Sequence, residues 1–173
     1  MLYTRGLIIT LFFFVLSNFA WAQEETERHL CLVEENSFSV GMGGVYSFDL
    51  ETTGINGRFY YNIRENICFG PEFSYIKTDE VEVFDFDVVA HYIFETPWLG
   101  IYPVVGINYS AENILHTKSE HESEAGFGVI YGFGIHRNIK RFTIFTEYSR
   151  LNGAFKDQFL TLGAIYRFNL KHE

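Results

Sequence analysis

The stretch EAGFGVIYGFGIH, residues 124–136, decides the fold of this chain. Apolar residues occupy every second position, and glycine fills most of the positions between them; the apolar set is Ala125, Phe127, Val129, Tyr131, Phe133 and Ile135. A period of two indicates a β-strand whose two faces meet different surroundings. One face of this strand therefore contacts an apolar medium, and the other faces a space too narrow for many bulky side chains.

Seven further stretches repeat this alternation: SFSVGMGGVYSFDL, INGRFYYNI, ICFGPEFSYIK, VFDFDVVAHYIF, LGIYPVVGINYS, FTIFTEYS and TLGAIYRFNLKHE. Eight strands of about ten residues, each with one apolar and often aromatic face, predict an all-β fold. The predicted architecture is an eight-stranded antiparallel transmembrane up-and-down β-barrel. A soluble barrel or sandwich would turn its apolar face inward, whereas the glycine- and serine-rich face here suits a crowded lumen.

The first 22 residues predict a cleaved secretory signal peptide. Arg5 precedes the apolar run GLIITLFFFVL, and Ala20 and Ala22 mark the expected cleavage site. We therefore divide the chain into a signal peptide (1–22), a periplasmic N-terminal segment (23–36), an outer-membrane β-barrel (37–170) and a periplasmic tail (171–173).

The formal net charge of −9 argues against nucleic acid as a partner, because a nucleic-acid binder carries a basic stripe.

The connections between strands predict the orientation of the barrel. Three short turns, at residues 64–66, 95–98 and 137–141, fall on the side that carries both chain termini. The longest connection, residues 110–123, falls on the opposite side. Short turns are typical of the periplasmic side of such barrels, so both termini are expected in the periplasm. Aromatic girdles are expected at both membrane interfaces, formed by Tyr61, Tyr92, Phe94, Tyr166 and Phe168 and by Phe48, Tyr75, Phe84, Tyr109 and Tyr148.

Hairpin geometry predicts which lumen residues face one another. A three-residue turn at 64–66 would pair Ile63 with Ile67 and place Arg58 opposite Glu72, and the next hairpin would bring Asp87 opposite Glu72. This row is either an acid pair, a gate or a lumen-filling salt-bridge network; we favour the network, because buried charges must be paired to offset their desolvation. The predicted polar network of the lumen comprises Arg58, Glu72, Asp85, Asp87, His91, Glu147 and Arg167.

The sequence also makes predictions about three single residues within the strands, Phe145, Pro71 and Pro103. Phe145 is predicted inside the barrel opposite Gly132 and Gly163, a large-against-small fit that closes the lumen. Pro71 and Pro103 fall inside strands, where each lacks the N–H of a ladder hydrogen bond. We expect local bulges at both prolines.

His91 and the two cysteines of the exported chain raise the questions of metal binding and of a disulfide. His91 is expected inside the barrel near Cys68 and Tyr102, where ligand number and spacing do not meet those of a metal site. We predict a hydrogen-bonded lumen histidine, no metal and no cofactor. Cys31 and Cys68 lie toward the same end of the barrel, and export to an oxidising compartment allows a disulfide between them. The alternative of two free thiols stays open.

Beyond these patterns, the mature chain resembles the small eight-stranded outer-membrane barrels, the OmpX/OmpA-like or outer membrane protein β-barrel domain family. The resemblance covers about residues 37–170 and includes Tyr166 and Phe168, which look like the aromatic-x-Phe assembly signal although five residues follow them. It implies the outer membrane of a Gram-negative bacterium as the location. It also implies contacts with outer-membrane lipid, lipopolysaccharide and the barrel assembly machinery.

Three functions stay open at this point. We favour a non-enzymatic barrel with a structural or surface-interaction role, in which the outer loops, chiefly residues 110–123, contact an extracellular ligand. A small-solute pore would need an open lumen. A lipid A-modifying enzyme is the third alternative, because TEYSRLNGAF, residues 146–155, resembles a segment of barrel lipid A deacylases that carries a His-x-Ser pair. Glu147 stands at the histidine position and only Ser149 matches, so the serine lacks its activating base and we predict no enzymatic activity.

Overall fold

The computed structural model describes residues 35–96, 98–114, 122–139 and 141–168. The predicted signal peptide, nearly all of the predicted periplasmic segment and the tail lie outside the described residues, so these assignments stay predictions. The strands are β1 (Ser37–Ser47), β2 (Thr52–Arg64), β3 (Ile67–Lys77), β4 (Val81–Tyr92), β5 (Phe94–Glu95), β6 (Gly100–Ile114), β7 (Glu122–Ile139), β8 (Phe142–Gly153) and β9 (Lys156–Phe168). Within the described residues, no helix is long and apolar enough to cross a membrane.

Eight long strands close into an antiparallel barrel, as predicted. Strands that are consecutive in the chain pair with each other, and β4 pairs with β6 across the two-residue β5, which itself joins only the start of β6. The barrel closes because β1 pairs with β9 over ten residue pairs, from Phe38–Phe168 to Ser47–Phe159. Closure joins the two edges that an open sheet would expose.

The two ends of the barrel differ in their connections. The terminal end is the end where β1 begins and β9 finishes, and it also carries the turn at residues 65–66. The loop end is the opposite one, and it carries the connections after β1, β3, β6 and β8. The predicted loop 110–123 is shorter than expected, because β6 continues to Ile114 and β7 begins at Glu122. Most residues of this extension of the hairpin are polar, so the apolar alternation did not reveal it.

Side chains alternate between an apolar exterior and a packed lumen, as predicted. Met42 and Phe127 are each 75% exposed on the outside, whereas the inward Phe145 is 1% exposed. Aromatic pairs lie near both ends of the exterior, for example Tyr166 with Phe168 at the terminal end, at a ring separation of 4.9 Å. A continuous apolar belt of this kind exceeds what a soluble monomer exposes and suits contact with lipid.

The β2–β3 hairpin confirms part of the predicted register. Arg58 lies opposite Glu72 as expected. The pairing of Ile63 with Ile67 is wrong, because the register shifts between Asn62 and Arg64 and it is Arg64 that pairs with Ile67. The irregularity accommodates one extra residue of β2 next to a tight turn.

The β7–β8 hairpin also differs from expectation at one contact. Phe145 lies inside and opposite Gly163, as predicted. On its other side it faces His136 rather than Gly132. The predicted turn at 137–141 is too long, since β7 runs on to Ile139 and the ladder is displaced by four residues.

Neither strand proline causes the predicted bulge. The register runs unbroken through the pairs Pro71–Val88 and Pro103–Phe133. The β2–β3 ladder instead omits the pairs that would involve Gly70 and Pro71, and Pro103 lies where the β4–β6 ladder stops. The missing N–H groups therefore coincide with gaps in the ladder, and no residue needs to be inserted.

Two apolar clusters occupy the lumen. The cluster at the loop end consists of Val45, Ile76, Val83, Leu151 and Phe159, all 6% exposed or less. The second cluster extends toward the terminal end and contains Tyr60, Cys68, Val89, Ile93, Tyr102, Val104 and Ile130. Buried charged side chains accompany both clusters inside the same narrow space, and they form the candidate site.

Candidate functional site

Arg58 is the centre of a charged cluster inside the barrel. Its guanidinium nitrogens lie 3.0 Å from a carboxylate oxygen of Glu72 and 3.3 Å from one of Glu147. The β2–β3 hairpin places Glu72 beside Arg58, whereas Glu147 comes from β8, three strands further around the barrel. All three side chains are buried. The structure thus brings together Arg58, Glu72 and Glu147 of the predicted lumen network.

Neighbouring side chains complete the surroundings of Arg58. Its Nε donates a hydrogen bond of 2.8 Å to the amide oxygen of Asn56. The ring of Phe145 lies 4.1 Å from the guanidinium carbon, in cation–π contact. The hydroxyl of Tyr60 donates to Glu72. The guanidinium is thus both hydrogen-bonded and stacked, which holds it in one geometry.

His91 lies beside the cluster, with its two ring nitrogens in different environments. Nδ1 is 3.6 Å from the sulfur of Cys68, and the ring packs on Tyr102 at 4.8 Å between centroids, as the sequence predicts. Nε2 points toward the carboxylates of Glu72 and Glu147 at 3.9 Å from each. This distance is too long for a hydrogen bond, and no described residue bonds to Nε2.

Asp85 and Asp87 form a second polar group with residues of β6. Asn108 donates a 2.8 Å hydrogen bond to Asp87, and the hydroxyl of Ser110 donates to Asp85. Asp87 lies opposite Glu72 in register as predicted, but its carboxylate bonds to Asn108. One carboxylate oxygen of Asp85, Oδ2, has no hydrogen-bond partner among the described residues.

The remaining predicted site residues lie toward the terminal end. Arg167 is half-buried and lines a cavity there. Cys68 is buried and forms no disulfide with any described residue. Because Cys31 lies outside the described residues, the disulfide between the two stays a prediction. Tyr166 and Phe168 close β9 on its outer face, and their role as an assembly signal also stays a prediction.

The lumen is plugged. The cavity between Arg58 and the terminal end has a volume of about 30 Å³, which holds roughly one or two water molecules. Toward the loop end, the apolar cluster around Ile76 and Leu151 is almost inaccessible to solvent. The charged cluster and this apolar cluster together fill the cross-section of the barrel.

Sequence reasoning missed several side chains of the site. Tyr60, Asn56 and Asn108 each bond to a charged lumen residue, yet none was singled out. A usable signal existed for Tyr60, because it occupies an inward position of β2 where small or polar residues prevail. The amides gave no comparable signal, since inward asparagines are common along these strands.

Comparison with known proteins bears on the fold. No family model and no curated protein matches the sequence. Among solved structures, the N-terminal β-barrel domain of Pseudomonas aeruginosa OprF aligns at 17% identity with a TM-score of 0.63, covering 79% of this chain and 100% of that domain. This chain has the fold of the small outer-membrane β-barrels.

Two other structures show the same relationship for the barrel. Ail, the attachment invasion locus protein of Yersinia pestis, aligns at 19% identity with a TM-score of 0.58, covering 78% of this chain and 99% of Ail. Neisserial surface protein A aligns at 14% identity with a TM-score of 0.58, covering 75% and 95% of the two chains. At these identities the similarity establishes the architecture of the barrel and leaves its ligands undefined.

Proposed function

We propose that this protein is a non-enzymatic, non-conducting barrel of a bacterial outer membrane with a structural or surface-interaction role. The observation that carries the proposal is the plugged lumen inside an apolar exterior. The fold shared with the OprF domain, Ail and Neisserial surface protein A supports this location. The exterior would contact outer-membrane lipid and lipopolysaccharide.

The short turns support an orientation with the terminal end in the periplasm. Both chain termini then lie on the periplasmic side, and the loop end faces the outside of the cell. In this orientation the outward Tyr166 and Phe168 lie at the periplasmic interface, where the barrel assembly machinery would read them. The described ends of β6 at Ile114 and of β7 at Glu122 lie on this outer side.

An enzymatic role is disfavoured by the position of the serine in TEYSRLNGAF. Ser149 and Glu147 both point into the lumen and are buried. A nucleophile that cleaves lipid must meet its substrate at the exterior of the barrel. Glu147 is moreover paired with Arg58, so its carboxylate is not available as a base for Ser149.

Wild-type protein reconstituted in planar bilayers is expected to show no steady channel conductance. The reason is that the Arg58 cluster and the loop-end apolar cluster both cross the lumen. Heat-modifiable migration in detergent gels verifies that the reconstituted protein is a folded barrel. A steady unit conductance from folded wild-type protein would contradict the proposal and favour a small-solute pore.

The loop end carries an excess of negative charge among its described residues. The carboxylates are Asp49, Glu51, Asp79, Glu80, Glu82, Glu112, Glu124 and Asp157, and the positive groups are Lys77, Arg150 and Lys156. One structure of Ail contains the polyanion sucrose octasulfate, a heparin analogue. Like charges repel across an interface, so we propose a cationic partner for the loop end of this protein.

Spermine is expected to bind the folded barrel in detergent micelles, measured by calorimetry at low salt, whereas sucrose octasulfate is not. Because the interaction rests on exposed charges, it should weaken about tenfold or more between low and physiological salt. The variant Asp79→Lys/Glu80→Lys should reduce spermine affinity, and Glu65→Lys at the terminal end serves as the control. Binding of the octasulfate, or equal spermine affinity in both variants, would contradict a cationic partner.

A further inference from the structure

The lumen holds more buried negative charge than its buried arginine can neutralise. Among the described residues, the buried ionic side chains comprise Arg58 and four carboxylates, those of Glu72, Asp85, Asp87 and Glu147. Buried charges are stable only when they are paired. A further positive group inside the barrel would therefore reduce this excess of negative charge.

Three of the lumen residues converge on one point beside Arg58. Glu72, His91 and Glu147 each offer a ligand atom, and these three atoms lie within 4.8 Å of one another. Nε2 of His91 is 3.9 Å from both carboxylates. Two ligand atoms in a tetrahedral site, each at about 2.1 Å from the ion, lie about 3.4 Å apart. The two carboxylates would therefore have to approach each other by at most about 1.5 Å to complete the site, and His91 would have to approach each of them by about 0.5 Å.

The orientation of His91 is an independent observation that indicates a ligand. The side chain is 5% exposed, and its unpartnered Nε2 points between two carboxylates. Metal-bound histidines typically donate the N–H of the other ring nitrogen to an acceptor, which fixes the tautomer. The sulfur of Cys68, 3.6 Å from Nδ1, can be that acceptor.

We propose that Glu72, His91 and Glu147 bind a divalent transition-metal ion of the Zn²⁺ type. Arg58 can keep its contact with Glu72, since it uses Oε2 while Oε1 faces His91. On Glu147 the same oxygen, Oε2, contacts Arg58 and faces His91, so Arg58 would keep only its 3.4 Å hydrogen bond to Oε1. The adjoining cavity of about 30 Å³ is lined by Arg58, His91 and Tyr102 but not by the two glutamates, and it has room for a water molecule. An imidazole with two carboxylates favours a transition metal over Mg²⁺ or Ca²⁺, which prefer oxygen ligands. The bound ion would link β3, β4 and β8 across the lumen.

Metal content after refolding tests the site. The full mature barrel is refolded from denaturant into detergent with Zn²⁺, dialysed against a weak chelator and measured by elemental analysis. All proteins carry His116→Asn and His121→Asn, so that histidines of the long loop contribute no binding. This parent barrel should retain about one Zn²⁺ per chain, whereas His91→Asn and Glu147→Gln should each retain less than about a tenth as much.

His136→Asn is the matched control. His136 is also a buried lumen histidine and packs on Tyr102 at 5.5 Å between centroids, but it is outside the three-residue group. This variant should retain as much Zn²⁺ as the parent. Retention by His91→Asn equal to that of the parent, or no retained ion in the parent, would overturn the proposal.

A second measurement decides the question even if the variants fail to fold. Co²⁺ refolded into the parent barrel should give the visible d–d absorption of an ion bound by nitrogen and oxygen ligands, and excess Zn²⁺ should remove that absorption. Mg²⁺ at the same concentration should not remove it. A folded barrel without this absorption, or displacement by Mg²⁺ as effective as by Zn²⁺, would show that the site is not of the proposed kind.

Discussion

Arg58→Met is expected to lower the free energy of unfolding of the barrel by about 3–5 kcal/mol. Methionine fills similar space but carries no charge, so the carboxylates of Glu72 and Glu147 would stay buried without their shared cation. The loss can be measured by equilibrium urea unfolding in lipid vesicles, followed by the fluorescence of Trp98. Because the removed group is the centre of the cluster, unpaired charge rather than lost volume dominates the cost.

Two controls separate charge from general damage in this experiment. Arg150→Met makes the same change at an exposed position of β8 and should cost less than about 0.5 kcal/mol. Combining Arg58→Met with Glu72→Gln and Glu147→Gln should recover most of the lost stability, since no buried charge then lacks a partner. If the free energy of unfolding of the single variant Arg58→Met lies within about 1 kcal/mol of that of wild type, the charged cluster does not stabilise the packed lumen.

Phe145→Ala is expected to cost about 3–5 kcal/mol of stability, because the substitution leaves a cavity in a closed lumen. The ring is 1% exposed and lies 4.1 Å from the guanidinium carbon of Arg58. On the neighbouring strand Gly163 provides the space for it: a Cβ there would lie 2.7 Å from the end of the ring. The variant loses both the packing and the stacked contact with the cation. Urea unfolding under the same conditions measures the effect.

Phe142→Ala supplies the matched comparison on the same strand. Phe142 points outward near the terminal end, is 53% exposed and contacts Tyr166 at 5.3 Å between ring centroids. Its truncation removes apolar area but leaves no enclosed cavity, so the cost should be at most about half that of Phe145→Ala. Equal losses for the two variants would indicate that the lumen relaxes around the missing ring and is less tightly packed than described.

The sequence predicted the strands and their faces because the surroundings of each face stay uniform along a barrel strand. Every second residue of β7 from Phe127 to Ile135 contacts the same apolar medium, so five residues repeat one signal. Register was predictable where the turn is short, and Arg58, Glu72 and Asp87 form the expected row. It failed at β7–β8, where the polar residues 137–138 have the composition of a turn but continue the strand.

Contacts across the lumen could not be predicted in this way. Glu147 and Arg58 lie 89 residues apart on strands separated by two others, so no hairpin relates them. Their distance depends on the diameter of the barrel and on the tilt of its strands, which no local pattern records. The same reason explains why the sequence predicts no metal site: the ligands Glu72, His91 and Glu147 come together only after closure.

Closure of the barrel through β1 and β9 leads us to expect a particular order of events in folding. The two paired strands are the first and the last of the described sheet, so their contacts have the largest sequence separation of any strand pair in it. Contacts of large separation are entropically costly to form, and we expect them to form late. Until β8 and β9 arrive, Arg58 lacks Glu147 and the lumen stays open to water, so its charges remain hydrated. Removal of water from these charged side chains and pairing of β1 with β9 therefore occur in one late step. Both processes would contribute to the free-energy barrier of that step.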